Sequence, residues 1–75
     1  MNAVKAKFVC QSTQRDGGLE EVRLSPVTDG SEEDNTFSKY TPSGLLELSI
    51  TNENVFGFFE VGKKYYLDIT PADVD

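Results

Sequence analysis

The sequence predicts an all-β fold, a small five-stranded barrel or a compact β-sandwich, carrying one short helical turn near residues 53-60. Three observations lead there. Apolar side chains recur at every second position in several short runs, the period of a strand with one face covered. Gly and Pro fall between those runs, where the chain has to turn. Five of the eight aromatic residues lie between Asn54 and Ala72, and a block that includes Phe56, Phe58 and Phe59 has to be core or contact surface in so small a domain.

The elements follow in order. Val4, Ala6, Phe8 and Cys10 alternate with Lys5, Lys7 and Val9, giving a half-buried first strand. Gly17-Gly18 supplies the positive φ of a tight turn, and Val22 and Leu24 alternate with Glu21 and Arg23 on the returning strand. Pro26 has no amide hydrogen, so it ends that strand or holds it at an edge. Residues 28-36 are expected to form an acidic loop, because Asp29, Gly30, Ser31, Glu32, Glu33, Asp34 and Asn35 all disfavour a strand. Phe37 and Tyr40 return as short extended structure before the Pro42-Ser43-Gly44 turn. Leu46, Leu48 and Ile50 alternate with Glu47 and Ser49 in a further strand. Asn52 suits a helix N-cap with Glu53 behind it, and Val55, Phe58 and Phe59 have the i, i+3, i+4 spacing of a helical turn that Gly62 stops. Tyr65, Leu67 and Ile69 alternate with Lys64, Tyr66 and Asp68 in a last strand that Pro71 closes, and residues 73-75 are expected to fray.

Four or five strands with a helical plug suit a closed or nearly closed barrel, since closure removes sheet edges. The oligonucleotide/oligosaccharide-binding barrel has that plan, although here the helical turn precedes the last strand. A compact sandwich fits the same pattern.

Seventy-five residues make a single β domain, 1-75. A core of this size supplies only about 3–5 kcal/mol net, so small domains often add a staple. Cys10 is the lone cysteine and there is no His, which leaves no intrachain disulfide and no ordinary zinc site. Assembly with itself or with a larger protein is the remaining device, so a homo-oligomer is one expectation. Thirteen acidic against seven basic side chains give a net charge of −6. Lys5, Lys7, Arg15, Arg23, Lys39, Lys63 and Lys64 are dispersed, so no direct nucleic-acid partner is expected. Lys5/Lys7 and Lys63/Lys64 could lie on neighbouring strands, where a solvated face is the ordinary outcome. No apolar run approaches a membrane span or a signal peptide, so no membrane partner is expected, and the lone inward-facing Cys10 suits a reducing cytoplasm.

The residues offer little chemistry. Without His, with Cys10 on an inward position and with no serine in a nucleophile setting, general acid-base or acyl-transfer catalysis has no constellation. Paired carboxylates could serve a glycosidase, but a chain this short has little volume for a cleft. No enzymatic activity and no cofactor are expected. Asp29, Glu32, Glu33 and Asp34 could gather oxygens around calcium, yet they lack the alternation, mid-loop Gly and closing Glu of an EF-hand. A solvated loop or a contact with a basic partner surface suits them better. Phe56 and Tyr66 fall off the apolar pattern and are the candidate exposed aromatics. The candidate interface is therefore Phe56, Tyr66, Lys63, Lys64, Asp29, Glu32, Glu33 and Asp34.

Three segments carry a resemblance: Val22-Arg23-Leu24-Ser25-Pro26-Val27, the stretch from Ser31 to Gly44, and the stretch from Phe58 to Ala72. Together they resemble a group of short tailed-bacteriophage proteins with a SEEN-x-x-F-x-K-x-TPSG segment followed by a FF-x-x-GK-x-YY-x-D-x-T-x-A ending. Asp34 interrupts the first motif before Asn35, and Val61 stands where Pro is common. The resemblance implies a viral origin more than a role. Two roles fit a small, acidic, non-catalytic phage domain. One is a virion component such as a capsid decoration or cement protein, where symmetric copies compensate for a small core. The other is a soluble accessory protein in the host cytoplasm that binds a host defence protein or sequesters a signalling nucleotide. The latter task needs a basic pocket such as one built from Lys63 and Lys64.

Overall fold

The computed structural model describes residues 4–28 and 30–72, so Asp29 and the tail at 73-75 lie outside the described residues. The chain runs β1 (Val4–Asp16), β2 (Leu19–Pro26), α1 (Glu32–Tyr40), β3 (Leu46–Ile50), a 3₁₀ turn (Glu53–Val55) and β4 (Lys64–Ile69). The strands form one antiparallel sheet in the order β3-β2-β1-β4, curled into a half-barrel. The fold is mostly β, with 47% of the described residues in strands against 18% in helix.

The hairpin between β1 and β2 turns through Gly17-Gly18, with Asp16 opposite Leu19. Gly17 has φ +64, a conformation that costs a residue with a Cβ, and it is the first of the two central residues as in a type II′ connection. Within β1 the register slips between Cys10 and Ser12, the mark of a bulge at Gln11. Simple alternation past Cys10 would turn Arg15 to the opposite face. The bulge instead sets Arg15 opposite Glu20 on the same face as Cys10.

That face is apolar. Ala6, Phe8, Cys10, Val22 and Leu24 are buried there, with Leu46, Ile50, Phe59, Tyr65 and Leu67 packed around them. Lys5, Lys7, Arg23, Glu47, Lys64, Tyr66 and Asp68 alternate onto the other, polar face, and α1 lies on it. Val27 donates its amide to the Lys7 carbonyl at 3.0 Å and is buried without joining the apolar cluster. Parity with Lys7 puts it on the polar face.

Four expectations are corrected. The described residues form four strands rather than five, and β3 and β4 do not pair with each other, so the barrel does not close. The acidic loop expected at 28-36 becomes helical from Glu32, and the extended structure expected at Phe37 and Tyr40 is the second half of α1. Ser31 is the N-cap and its hydroxyl accepts the Asp34 amide at 3.1 Å. Glu32, Glu33 and Asp34 then occupy the first turn, where carboxylates meet the positive end of the helix dipole. The helical turn expected near 53-60 contracts to Glu53–Val55; Asn52 caps it through its side chain, but the chain turns away at Phe56 and Gly57. The molecule is correspondingly flat, measuring 38 × 36 × 18 Å with a radius of gyration of 13.8 Å, where a compact chain of this length would have about 11 Å.

Candidate functional site

The polar face is organised around Asp34, a carboxylate with 1% of its surface exposed. Helical spacing puts Asp34, Phe37 and Ser38 on one side of α1, and that side meets β1 and β4. The Lys64 ammonium of β4 donates to Asp34 Oδ2. The Lys7 ammonium of β1 lies 2.7 Å from Oδ1, as an ion pair outside hydrogen-bond angles, so Oδ1 accepts no hydrogen bond. Lys7 also donates to Glu33 Oε1 at 2.5 Å. Glu33 accepts the Tyr66 hydroxyl at 2.6 Å, the Lys7 ammonium sits 5.5 Å from the Tyr66 ring centroid, and Phe37 packs 5.8 Å from the same ring. One helical turn is therefore clamped to two strands by charge and an aromatic pair.

These contacts set the ionisation of the cluster. The Lys64 hydrogen bond and then the adjacent Lys7 ammonium outweigh burial and hold the Asp34 carboxyl at about 2. Glu33 is lowered by Lys7 and by the Tyr66 hydroxyl. Lys7 is raised by Asp34 and Glu33, and Tyr66 is raised by its bond to the Glu33 carboxylate. The shifts of Asp34, Glu33 and Lys7 favour their charged, paired forms, and that of Tyr66 keeps its phenol neutral as a donor to Glu33. The arrangement stabilises itself and leaves neither Lys7 nor Asp34 available to a ligand.

A second acid is enclosed on the apolar face. Glu20 is 3% exposed, accepts the Gly57 amide at 3.2 Å and pairs with Arg15 at 3.1 Å. The Arg15 guanidinium lies over the Phe56 ring, 4.8 Å from its centroid. Gly57, at φ +83, lets the backbone turn its N–H onto that carboxylate. Beyond it, Phe58, Phe59 and Tyr65 form an aromatic group with ring centroids 4.9 to 5.7 Å apart. The Tyr65 hydroxyl donates to the Phe58 carbonyl and accepts the Glu60 amide, which ties the segment back onto β4.

The residues expected at an interface therefore separate. Asp34 is buried and Glu33 is engaged within the chain. Lys64 is bonded to Asp34 with its side chain still 45% exposed, while Lys63 is exposed and pairs with Glu60 at 3.5 Å. Glu32 is exposed at the start of α1. Phe56 is half-buried under Arg15, whereas Phe58, expected inside the plug, is exposed. Tyr66 is 65% exposed with its hydroxyl tied down. Sequence reasoning put Lys5 and Lys7 beside Lys63 and Lys64 on neighbouring strands, as the β1–β4 pairing has them, but read a solvated face there and gave Lys7 no partner; it passed over Glu20. The Ser31-x-x-Asp34 spacing was the available sign of a helix start, and from it the pairing of Asp34 with a strand lysine could have been sought.

Other chemistry is sparse. A polar groove of about 270 Å³ lies on the polar face between the hairpin and β3, lined by Ser12, Gln14, Glu21, Arg23, Glu47 and Ser49, with Arg23 and Glu47 paired across it at 2.6 Å. Cys10 is buried, and burial pushes its thiol up, away from the reactive thiolate. Among the described residues no group of three or more His, Cys, Asp or Glu side chains is placed to hold a metal ion, and no helix is long and apolar enough to cross a membrane. Larger apolar side chains do reach the surface, including Val4, Tyr40, Leu45, Phe58, Val61 and Ile69. Comparison with protein-family models, with curated proteins and with solved structures finds no match.

Proposed function

We propose that the chain is a non-enzymatic component of a bacteriophage virion, a capsid decoration or cement protein that acts through protein-protein contacts. The observation that carries this reading is the unfinished sheet: the outer edges of β3 and β4 have no partner strand among the described residues. Unpaired edges are templates for another chain. The exposed Phe58, Val61, Tyr66 and Ile69 lie on or beside β4, and exposed aromatic and aliphatic side chains next to a free edge suit an interface. In this reading a neighbouring chain donates the fifth strand of the barrel plan, Lys63, Tyr66 and Glu32 belong to the contact surface, and Asp34, Glu33 and Phe56 act within the subunit. The phage-protein resemblance supplies the particle. The alternative of a soluble accessory protein keeps the same edge for a host protein. Its nucleotide-sequestering form loses support, because Lys64 and Lys7 are neutralised by Asp34 and Glu33.

Mass spectrometry of purified particles from the parent phage tests the proposal. A decoration or cement protein is present at a stoichiometry comparable to the shell subunits. Its absence from washed, infectious particles contradicts the virion role.

A further inference from the structure

The backbone of β4 has an assignable free side. The Lys63 carbonyl accepts the Cys10 amide at 3.0 Å, and the Gly62 amide reaches the Cys10 carbonyl at 2.9 Å, so Lys63 is turned toward β1. With the period of two, Tyr65, Leu67 and Ile69 face β1 as well. The N–H and C=O groups of Lys64, Tyr66 and Asp68 therefore point away from the sheet.

We infer that two copies of this chain pair through these β4 edges, antiparallel, about a two-fold axis at Tyr66. Tyr66 then faces Tyr66 of the second copy, and Lys64, bonded to Asp34 but with its side chain 45% exposed, faces Asp68 of the second copy on both sides of the axis. Each of these positions presents both a free N–H and a free C=O, as a hydrogen-bonded antiparallel pair requires. The charges select this register. An axis at Asp68 or at Lys64 would set like charges directly opposite, and an axis at Leu67 would leave Lys64 opposite Thr70 without an ion pair. The face is also kept: Tyr65 meets Leu67 of the second copy, so the two apolar surfaces join into one.

The wider charge distribution agrees. Each copy carries −6, but on or next to the β1–β4 half of the sheet Lys5, Lys7, Lys63 and Lys64 offset Glu33, Asp34, Glu60 and Asp68, so this half is close to neutral and two acidic chains repel least there. The opposite edge has no such complementarity. Glu47 is the one charge on β3, and Arg23 already holds it.

The inference shares with the virion proposal the idea of a strand donated by another chain, and it names that chain as a second copy. The two fail separately, since one is read in solution and the other in particle composition. Light scattering coupled to size exclusion on the full chain should give twice the 8.3 kDa subunit mass at about 100 µM. Asp68→Lys sets Lys opposite Lys64 and should raise the dissociation constant at least tenfold while the circular dichroism spectrum is retained. Glu47→Lys, on the other edge, should leave the dimer intact. Tyr66→Cys should cross-link into a covalent dimer under mild oxidation, because residues facing across such an axis have Cα atoms about 5.5 Å apart, within disulfide reach. This arm reads out even if Asp68→Lys unfolds the chain. A monomer at that concentration, a dimer lost with Glu47→Lys, or a failure of Tyr66→Cys to cross-link overturns the inference.

Discussion

Lys7 of β1 and Asp34 of α1 meet 2.7 Å apart, with Asp34 enclosed between the helix and the sheet. The contact spans the polar face and gives α1 its position. Lys7 contributes a 13% exposed side chain, so the pair is screened from solvent more than an ordinary surface salt bridge. A carboxylate left there without cations would be an uncompensated buried charge.

Coupling between the two is the first expectation. Lys7→Met and Asp34→Leu should each destabilise the domain, and the double variant should lose less than the sum of the singles, because Glu33 and Lys64, which then lose a partner, are exposed and no buried charge is left unpaired. Denaturant unfolding of the four proteins measures the coupling. Strict additivity contradicts a direct role.

Acid stability follows from the lowered Asp34 carboxyl. A depressed folded-state value means that the contribution is fully present above the ordinary Asp value of 3.8 and is lost as pH falls toward about 2. Glu33, also lowered, adds in the same direction. Stability followed by circular dichroism from pH 6 downward should decline below about pH 4, and Asp34→Asn should flatten that decline from a lower starting stability. Equal slopes for the two proteins would contradict the assignment.

Ser31→Ala removes the hydroxyl that accepts the Asp34 amide. The expected loss is about 0.5–2 kcal/mol, with faster amide exchange confined to α1. An unchanged exchange profile would mean that the cap is dispensable.

Phe8 is 6% exposed at the centre of the apolar cluster. Phe8→Ala should cost about 3–5 kcal/mol, comparable with the whole net stability of so small a core, so the variant should be largely unfolded at 25 °C. Near-ultraviolet circular dichroism and thermal melting check this. A cooperative melt close to that of the parent protein would contradict the placement of the core.

The sheet was legible because its code is local. Alternation at Val4 to Cys10, Leu46 to Ile50 and Tyr65 to Ile69, with Gly17-Gly18 between strands, marks β1, β3, β4 and the hairpin directly. The helix was not legible, because its inward face carries Asp34, and a periodicity search scores apolar side chains rather than an acid whose partners are lysines on distant strands. The helical plug was over-read for the complementary reason: Val55, Phe58 and Phe59 have helical spacing, but Gly57 at φ +83 turns the chain toward Glu20, and only Phe59 reaches the core cluster. Barrel closure depends on whether β3 meets β4, a long-range pairing that no local pattern encodes. The candidate interface mixed residues that serve the subunit, such as Asp34 and Lys64, with surface residues such as Tyr66, because charge alone does not distinguish the two.

Hydrogen exchange at the amides of Lys64, Tyr66 and Asp68 tests most directly the claim that the free edge of β4 is a contact surface. These groups should exchange quickly in dilute protein and slow markedly as concentration rises, while the amides of Tyr65 and Leu67, bonded to β1, stay protected throughout. Rapid exchange at Lys64, Tyr66 and Asp68 at every concentration, and equally on assembled particles, would contradict it.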